Sequence, residues 1–280
     1  METAQTLRSP QNLYEDWERT HWASQDIDLS RDRTDWEQLA KGERELLYWV
    51  LSSLMVAEER ISTQFCGLVL AQDDEEEGSY LATQLVDEIR HMQFYARFQN
   101  EVIADPAEIA THVARARRVL GAPFRRVFDE ALVSAHDRLR REPRNREAKV
   151  DFVTTYHMVI EGTLGLTASH FLIGFLSDRG VLPGFVDGYS RIAADEQRHI
   201  AYGTEFLQRA VSEHPAMGEV VRRRLLDLLP AVAESVSPPS EGAWDVLGLE
   251  DDELARFGLD TLTRRLKIIG VSLDPAATPS

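Results

Sequence analysis

Asp87-Glu88-Ile89-Arg90-His91-Met92-Gln93-Phe94-Tyr95 and Asp195-Glu196-Gln197-Arg198-His199-Ile200-Ala201-Tyr202 are near copies of one another. Each places Glu-x-x-His in an amphipathic pattern. On a helix, positions i and i+3 share a face, so one carboxylate and one imidazole can bind the same metal. A single Glu-x-x-His is common by chance; two in matched Asp-Glu-x-Arg-His frames are not. The pattern predicts a two-metal site in a helical bundle, completed by one buried Glu from each of two further helices.

Glu58 and Glu161 fill those places. Leu47, Leu51, Leu54, Glu58, Ile61, Phe65 and Leu68 make one helical stripe with Glu58 at its centre. An unpaired carboxylate is costly to bury there. The neighbouring Glu59 falls on a less apolar side with Ser52, Met55, Ser62 and Cys66. Glu161 is the only formally charged residue from Phe152 to Ser177. A buried Glu can also be satisfied by a salt bridge, but no Lys or Arg shares this segment. The flanking aspartates have two uses. They can pair with Arg90 and Arg198, or Asp195 can reach His91 and Asp87 can reach His199 across facing helices, since a metal-bound His commonly donates its free N–H to a carboxylate.

The rest of the chain reads as helix and loop, an all-α fold in one domain spanning 1–280. Core helices cover about 42–212 and C-terminal helices about 217–267. The expected elements are Gly42–Gln72, a helix capped by Ser79, Glu108–Leu120, Pro123–Arg140, Arg146–Asp178, a helix ending near Val211, Met217–Val236 and Glu250–Lys267. The acidic run Asp73–Glu77 is expected as a solvated loop, and Asp274–Ser280 as a frayed end. Residues 115–149 hold 11 of the 31 Lys and Arg. This is read as a basic outer face, with a dock for an anionic partner as the alternative.

The 280 residues, 43% hydrophobic, are ample for one large core. A net charge of −16 argues against a nucleic-acid-binding role. The single cysteine, Cys66, excludes an internal disulfide framework and points to a reducing cytoplasm. Met1–Trp17 is polar, without a secretory apolar core. Phe152–Ser177 is long enough to span a bilayer. Its Glu161, His157 and His170 favour a helix buried on all sides over membrane insertion.

Four carboxylates and two imidazoles form a hard donor set that suits iron or manganese, and four Glu balance two divalent ions. Such a pair supplies dioxygen chemistry. Gly162, Gly165 and Ala168–Ser169 serve either close packing or an open volume beside the metals. An apolar ligand would fill that volume, against walls such as Leu164, Leu166, Phe171 and Phe175.

The chain resembles the small subunit of ribonucleotide reductase, and more closely the ligand-binding oxidases that share its ferritin-like four-helix bundle. The resemblance is carried by Trp22 through Asp28-Leu29-Ser30-Arg31-Asp32, Ala57-Glu58-Glu59, both Asp-Glu-x-Arg-His motifs, and Tyr156-His157-Met158-Val159-Ile160-Glu161-Gly162. The separations between the four glutamates, 30, 73 and 35 residues, agree. The similarity covers roughly residues 11–210.

It implies metal ligation by Glu58, Glu88, His91, Glu161, Glu196 and His199. The pair would be manganese–iron or di-iron, with dioxygen, an electron donor, a long-chain fatty acid reaching the metals and a homodimeric assembly. It implies an ether crosslink between Tyr156 and the residue at Ile61, where the family usually has valine. A regular helix would put Tyr156 roughly 140° around from Glu161, so a distorted turn is required. Tyr95 stands at the radical tyrosine position of the reductase, where the oxidases usually have phenylalanine. Trp22 matches an electron-transfer tryptophan. The tail Ile268–Ser280 has no aromatic residue to relay a radical, which favours the oxidase over the reductase subunit. Metal storage or a ligand-binding scaffold is the third reading.

Overall fold

The computed structural model describes residues 7–72, 74–107, 111, 113–114, 118, 121–237, 244–245 and 248–274. Among them there is helix and loop but no strand.

Two short helices open the chain, neither singled out from the sequence. Helix α1, Pro10–Thr20, has Pro at its start and Ser9 as cap, accepting from the Asn12 N–H at 3.2 Å. Helix α2 is Ser30–Gln38. The core then begins with α3, Lys41–Leu70, and α4, Glu75–Phe98.

The start of α4 corrects the sequence expectation. Asp74 is the cap, accepting from the Glu77 N–H at 2.9 Å, and Glu75, Glu76 and Glu77 form the first turn rather than a loop ended by Ser79. Three carboxylates are favourable there because the helix N-terminus carries partial positive charge. Glu77 is buried and held by Arg209.

The expected helix Glu108–Leu120 lies mostly outside the described residues. Arg125–Ala131 is π-helical and leads into α5, Leu132–Arg141. In the basic segment, Arg126 pairs with Asp227 and Arg138 with Glu147, as suits a solvated outer face.

Helix α6 is one continuous rod, Arg146–Arg179. Its middle, Thr154–Gly165, is π-helical. Its length and composition would allow it to cross a bilayer. The bundle accounts for its apolarity instead, since every residue from Val150 to Thr163 is buried. Helices α7, Pro183–Glu213, α8, Met217–Ser235, and α9, Glu253–Ile269, complete the fold. The core is α3, α4, α6 and α7, with α3 on α4 and α7 against both α4 and the π-helical stretch. Helices α8 and α9 pack on that same stretch from outside.

Candidate metal centre

One stripe of each core helix delivers one glutamate to the bundle interior. Glu58 of α3 is buried, whereas Glu59 beside it is exposed. Glu88 and His91 of α4, Glu161 of α6 and His199 of α7 are also buried. Ligand-type atoms of Glu88, Glu161, Glu196 and His199 all lie within 4.8 Å of one another, as do those of Glu58, Glu88 and His91. Glu88 belongs to both groups. His91 Nδ1 is 3.6 Å from Glu88 and 3.4 Å from Glu196. His199 Nδ1 is 3.4 Å from Glu88 and 3.3 Å from Glu161.

The other imidazole nitrogens cross between the motif helices. His91 Nε2 is 3.1 Å from Asp195 Oδ2, and His199 Nε2 is 3.2 Å from Asp87 Oδ2. The aspartates pair with arginines as well. Asp87 takes Arg90 and Arg198, and Asp195 takes Arg198 and Arg90. Thus both uses of these aspartates hold at once. Two tryptophans finish the shell: Trp22 Nε1 donates to Asp195 at 2.9 Å, and Trp17 Nε1 to Asp87 at 2.7 Å. Trp17 escaped the sequence reading, because a tryptophan on a short terminal helix carries no motif.

The electrostatics are those of a cluster short of positive charge. Burial, reinforced by Glu88, pushes Glu58 well above the usual carboxylate range. Burial and Glu196 do the same to Glu161. Burial works against charged imidazoles, yet Asp195, Glu196 and Glu88 hold His91 well above its ordinary value. Glu161 and Asp87 act likewise on His199. Glu196 moves down despite burial, through His199 and His91.

A two-metal cofactor fits these residues. His91 Nδ1, His199 Nδ1, Glu58 Oε2, Glu161 Oε2 and Glu196 Oε2 are all buried without a hydrogen-bond partner among the described residues. Unpartnered buried polar atoms are rare and costly. Here they come from the same side chains that form the two clusters, and two cations would satisfy all of them.

The π-helical stretch resolves the Tyr156 problem. An i→i+5 hydrogen-bond pattern brings residues five apart toward one face. Tyr156 and Glu161 therefore both reach the centre, and the Tyr156 hydroxyl donates to Glu88 Oε1 at 2.7 Å. Burial, with Glu161 next, holds the phenol well above its ordinary pKa. Gly162 lets the wide turn close: a Cβ there would lie 2.6 Å from the His157 carbonyl oxygen. Arg265 of α9 donates to the Gly162 carbonyl at 2.9 Å. Gln84, one turn before Glu88, donates to Glu161 at 3.0 Å and bonds His157 Nε2 at 3.2 Å. Gln84 and Arg265 were not legible beforehand, since their role depends on which helix faces them.

Ile61 is buried in the same hydrophobic cluster as Tyr156. Tyr95 lies on the other side of Glu58. It is buried with its ring centroid 6.2 Å from that of Tyr189, and it lines a second cavity of about 310 Å³ with Glu58, Met55 and Met92. Tyr95 is thus a buried phenol beside one of the four glutamates.

A larger cavity of about 470 Å³ opens beside the carboxylates. Glu58, Glu161 and Glu196 form its inner end. Ile61, Leu164, Gly165, Ala168 and Phe171 line its walls. Leu166 and Phe175, expected as walls, do not line it. Gly165 and Ala168 therefore give open volume, while Gly162 serves close packing.

The family model for the ribonucleotide reductase small chain matches residues 8–234. Among solved structures, an R2-like ligand-binding oxidase variant with an anaerobically reconstituted Mn/Fe cofactor is 25% identical. That match has a TM-score of 0.82 and covers 95% of this chain and 94% of the other. A second variant of such an oxidase, with aerobically reconstituted Mn/Fe cofactor, is 25% identical at TM-score 0.81, with the same coverage. The R2-like ligand-binding oxidase from Sulfolobus acidocaldarius is 26% identical at TM-score 0.76, covering 93% of this chain and 89% of that one. With the helical bundle, the dimetal donor set and a family model spanning most of its length, this chain belongs to the ribonucleotide reductase small-chain family.

Proposed function

We propose that the protein is a dioxygen-dependent dimetal oxidase acting on an apolar ligand held in the larger cavity. The observation that carries this is the union of two features: five unpartnered ligand atoms in the bundle centre, and an apolar cavity ending on three of the four glutamates. The two metals, Mn/Fe or Fe/Fe, supply the activation of dioxygen for a two-electron oxidation.

The chain's own residues do the rest. Glu58, Glu88, Glu161, Glu196, His91 and His199 hold the ions. Asp195 and Asp87 orient the imidazoles and keep Nδ1 free of a proton. Apolar walls exclude water and favour an alkyl chain, with a long-chain fatty acid whose carboxylate reaches the metals as the preferred ligand. The Tyr156 proton is directed at Glu88 Oε1, which would be its acceptor if the phenol were oxidised. An ether link from Tyr156 to Ile61 would remove one hydrogen from the phenol and one from an aliphatic carbon, and both electrons would pass to dioxygen. An external electron donor, a homodimer and a reducing cytoplasmic setting complete the proposal.

The test is reconstitution with iron and manganese under anaerobic conditions, then exposure to air. Two metals per chain, oxygen uptake and a joined Tyr156–Ile61 peptide in a digest of the aerobic sample are expected. Metal uptake without oxygen consumption would return the protein to storage or scaffold. The second reading, a radical-generating reductase subunit, rests on Tyr95 beside Glu58. Deoxyribonucleotide production with a cognate large subunit, abolished by Tyr95→Phe, would establish it instead.

A further inference from the structure

The larger cavity is lined by two tryptophans as well as by the glutamates. Trp49 of α3 and Trp244 both line it, with ring centroids 6.2 Å apart. Trp244 is only 3% exposed. The indole Nε1 of each is buried with no acceptor among the described residues. An indole nitrogen only donates, so the two rings cannot satisfy one another. Two buried donors are costly to leave unmet, and an acceptor entering the cavity would meet them. A plain hydrocarbon chain offers none.

Position and charge narrow what that acceptor is. Trp49 precedes Glu58 by nine residues on one continuous α-helix, which places it about 13 Å along the axis from Glu58. No Lys, Arg or His lines the cavity among the described residues, while Glu58, Glu161, Glu196 and Glu234 do. An anion at the tryptophan end would therefore lack a cationic partner and face existing negative charge. A neutral oxygen suits it.

We infer that the cavity takes an apolar chain bearing a neutral hydrogen-bond acceptor at its metal-remote end, held by the Trp49 and Trp244 N–H groups. A hydroxyl, keto or ester oxygen is the matching chemistry. The inference rests on the cavity being the ligand site proposed above, and it adds the ligand's second functional group.

The probes are saturated fatty acids of increasing length, each paired with its ω-hydroxy counterpart. Binding is measured by titration calorimetry to metal-loaded protein freed of lipid and kept anaerobic. The ω-hydroxy acid should bind about tenfold more tightly at one chain length, the worth of a good hydrogen bond. The advantage should fade at shorter and longer chains. Trp49→Phe and Trp244→Phe should each bring the paired acids toward equal affinity. Equal affinity of the pair for the unaltered protein at every length overturns the inference and leaves the cavity as a ligand site. Binding of neither acid to fully metallated protein overturns both. A preference that survives in both tryptophan variants also sinks the inference.

Discussion

The two histidine-bearing helices of the bundle repeat one another with reciprocal contacts, whereas the two helices with a lone glutamate differ from each other. On α4 and α7, the same frame gives the same outcome twice. Glutamate faces inward, histidine three residues on sits beside it, and the preceding aspartate crosses to the other helix's histidine. A regular helix suffices because all these positions are three or four residues apart or adjacent. Helix α3 presents Glu58 by the same regular means. Helix α6 must deliver two groups five residues apart, Tyr156 and Glu161, and it does so by widening into a π-helix. Half-sites built on repeated local rules are thus symmetric, while the one widened turn makes the site lopsided on the Glu161 side.

The largest way to break this symmetry is to remove a ligand. His91→Ala and Glu196→Ala should each lose at least one of two metals, read by elemental analysis of the purified variant. Retention of both metals in both variants would falsify the ligand assignment.

Next in size come the crossing aspartates. Asp195→Asn and Asp87→Asn should each weaken metal affinity about 10–100-fold, the usual effect of losing a partner to a metal-bound histidine. A centre with reciprocal crossing contacts predicts similar losses for the two, measured by competition with a chelator. A large effect from one and none from the other would show that only one half-site depends on its crossing contact.

The pH dependence sharpens the comparison further. Glu58, Glu161, His91 and His199 all have raised pKa values in the metal-free centre. Raised values mean that these groups hold their protons to higher pH than free side chains do, and metals must displace any proton still bound. Affinity should therefore rise with pH, about tenfold per unit for each proton released. Metal addition should acidify a weakly buffered solution. Uptake with no proton release would contradict the charge-deficient picture of the site.

The smallest effect concerns the widened turn. Gly162→Ala adds a Cβ 2.6 Å from the His157 carbonyl oxygen. Overpacking of this kind costs about 1–3 kcal/mol, against a helix-propensity gain of about 1 kcal/mol. A net loss of about 1 kcal/mol is expected from denaturant unfolding of the metal-free protein. Any Tyr156–Ile61 product should fall with it. A more stable variant with an unchanged product would mean that the wide turn does not need glycine.

Much of the site could be read from spacing alone. Glu88 with His91 and Glu196 with His199 are local pairs, so helical periodicity was enough to place each pair on one face. Glu58 and Glu161 were legible because a lone carboxylate in an apolar stripe demands a partner. The start of α4 was misread because clustered acids usually mark a solvated loop. Here Asp74 caps the helix, and the helix dipole welcomes the acids that follow. Trp17, Gln84 and Arg265 were invisible because each acts on a residue at least 70 positions away in the chain.

The amino-acid sequence by itself determined which residues could share a helix face, and therefore the repeated metal-binding frames, the two isolated glutamates and the helical class of the fold. Those properties follow from a period of 3.6 residues and from the cost of burying charge, both local to a segment. Only the tertiary structure decided that the aspartates serve both arginine and histidine, and that α6 widens to bring Tyr156 onto Glu88. It also decided that two unpartnered indole donors line the same apolar space as the carboxylates. Each of these depends on the packing of distant helices, where one contact settles the geometry of another and no segment carries the answer alone.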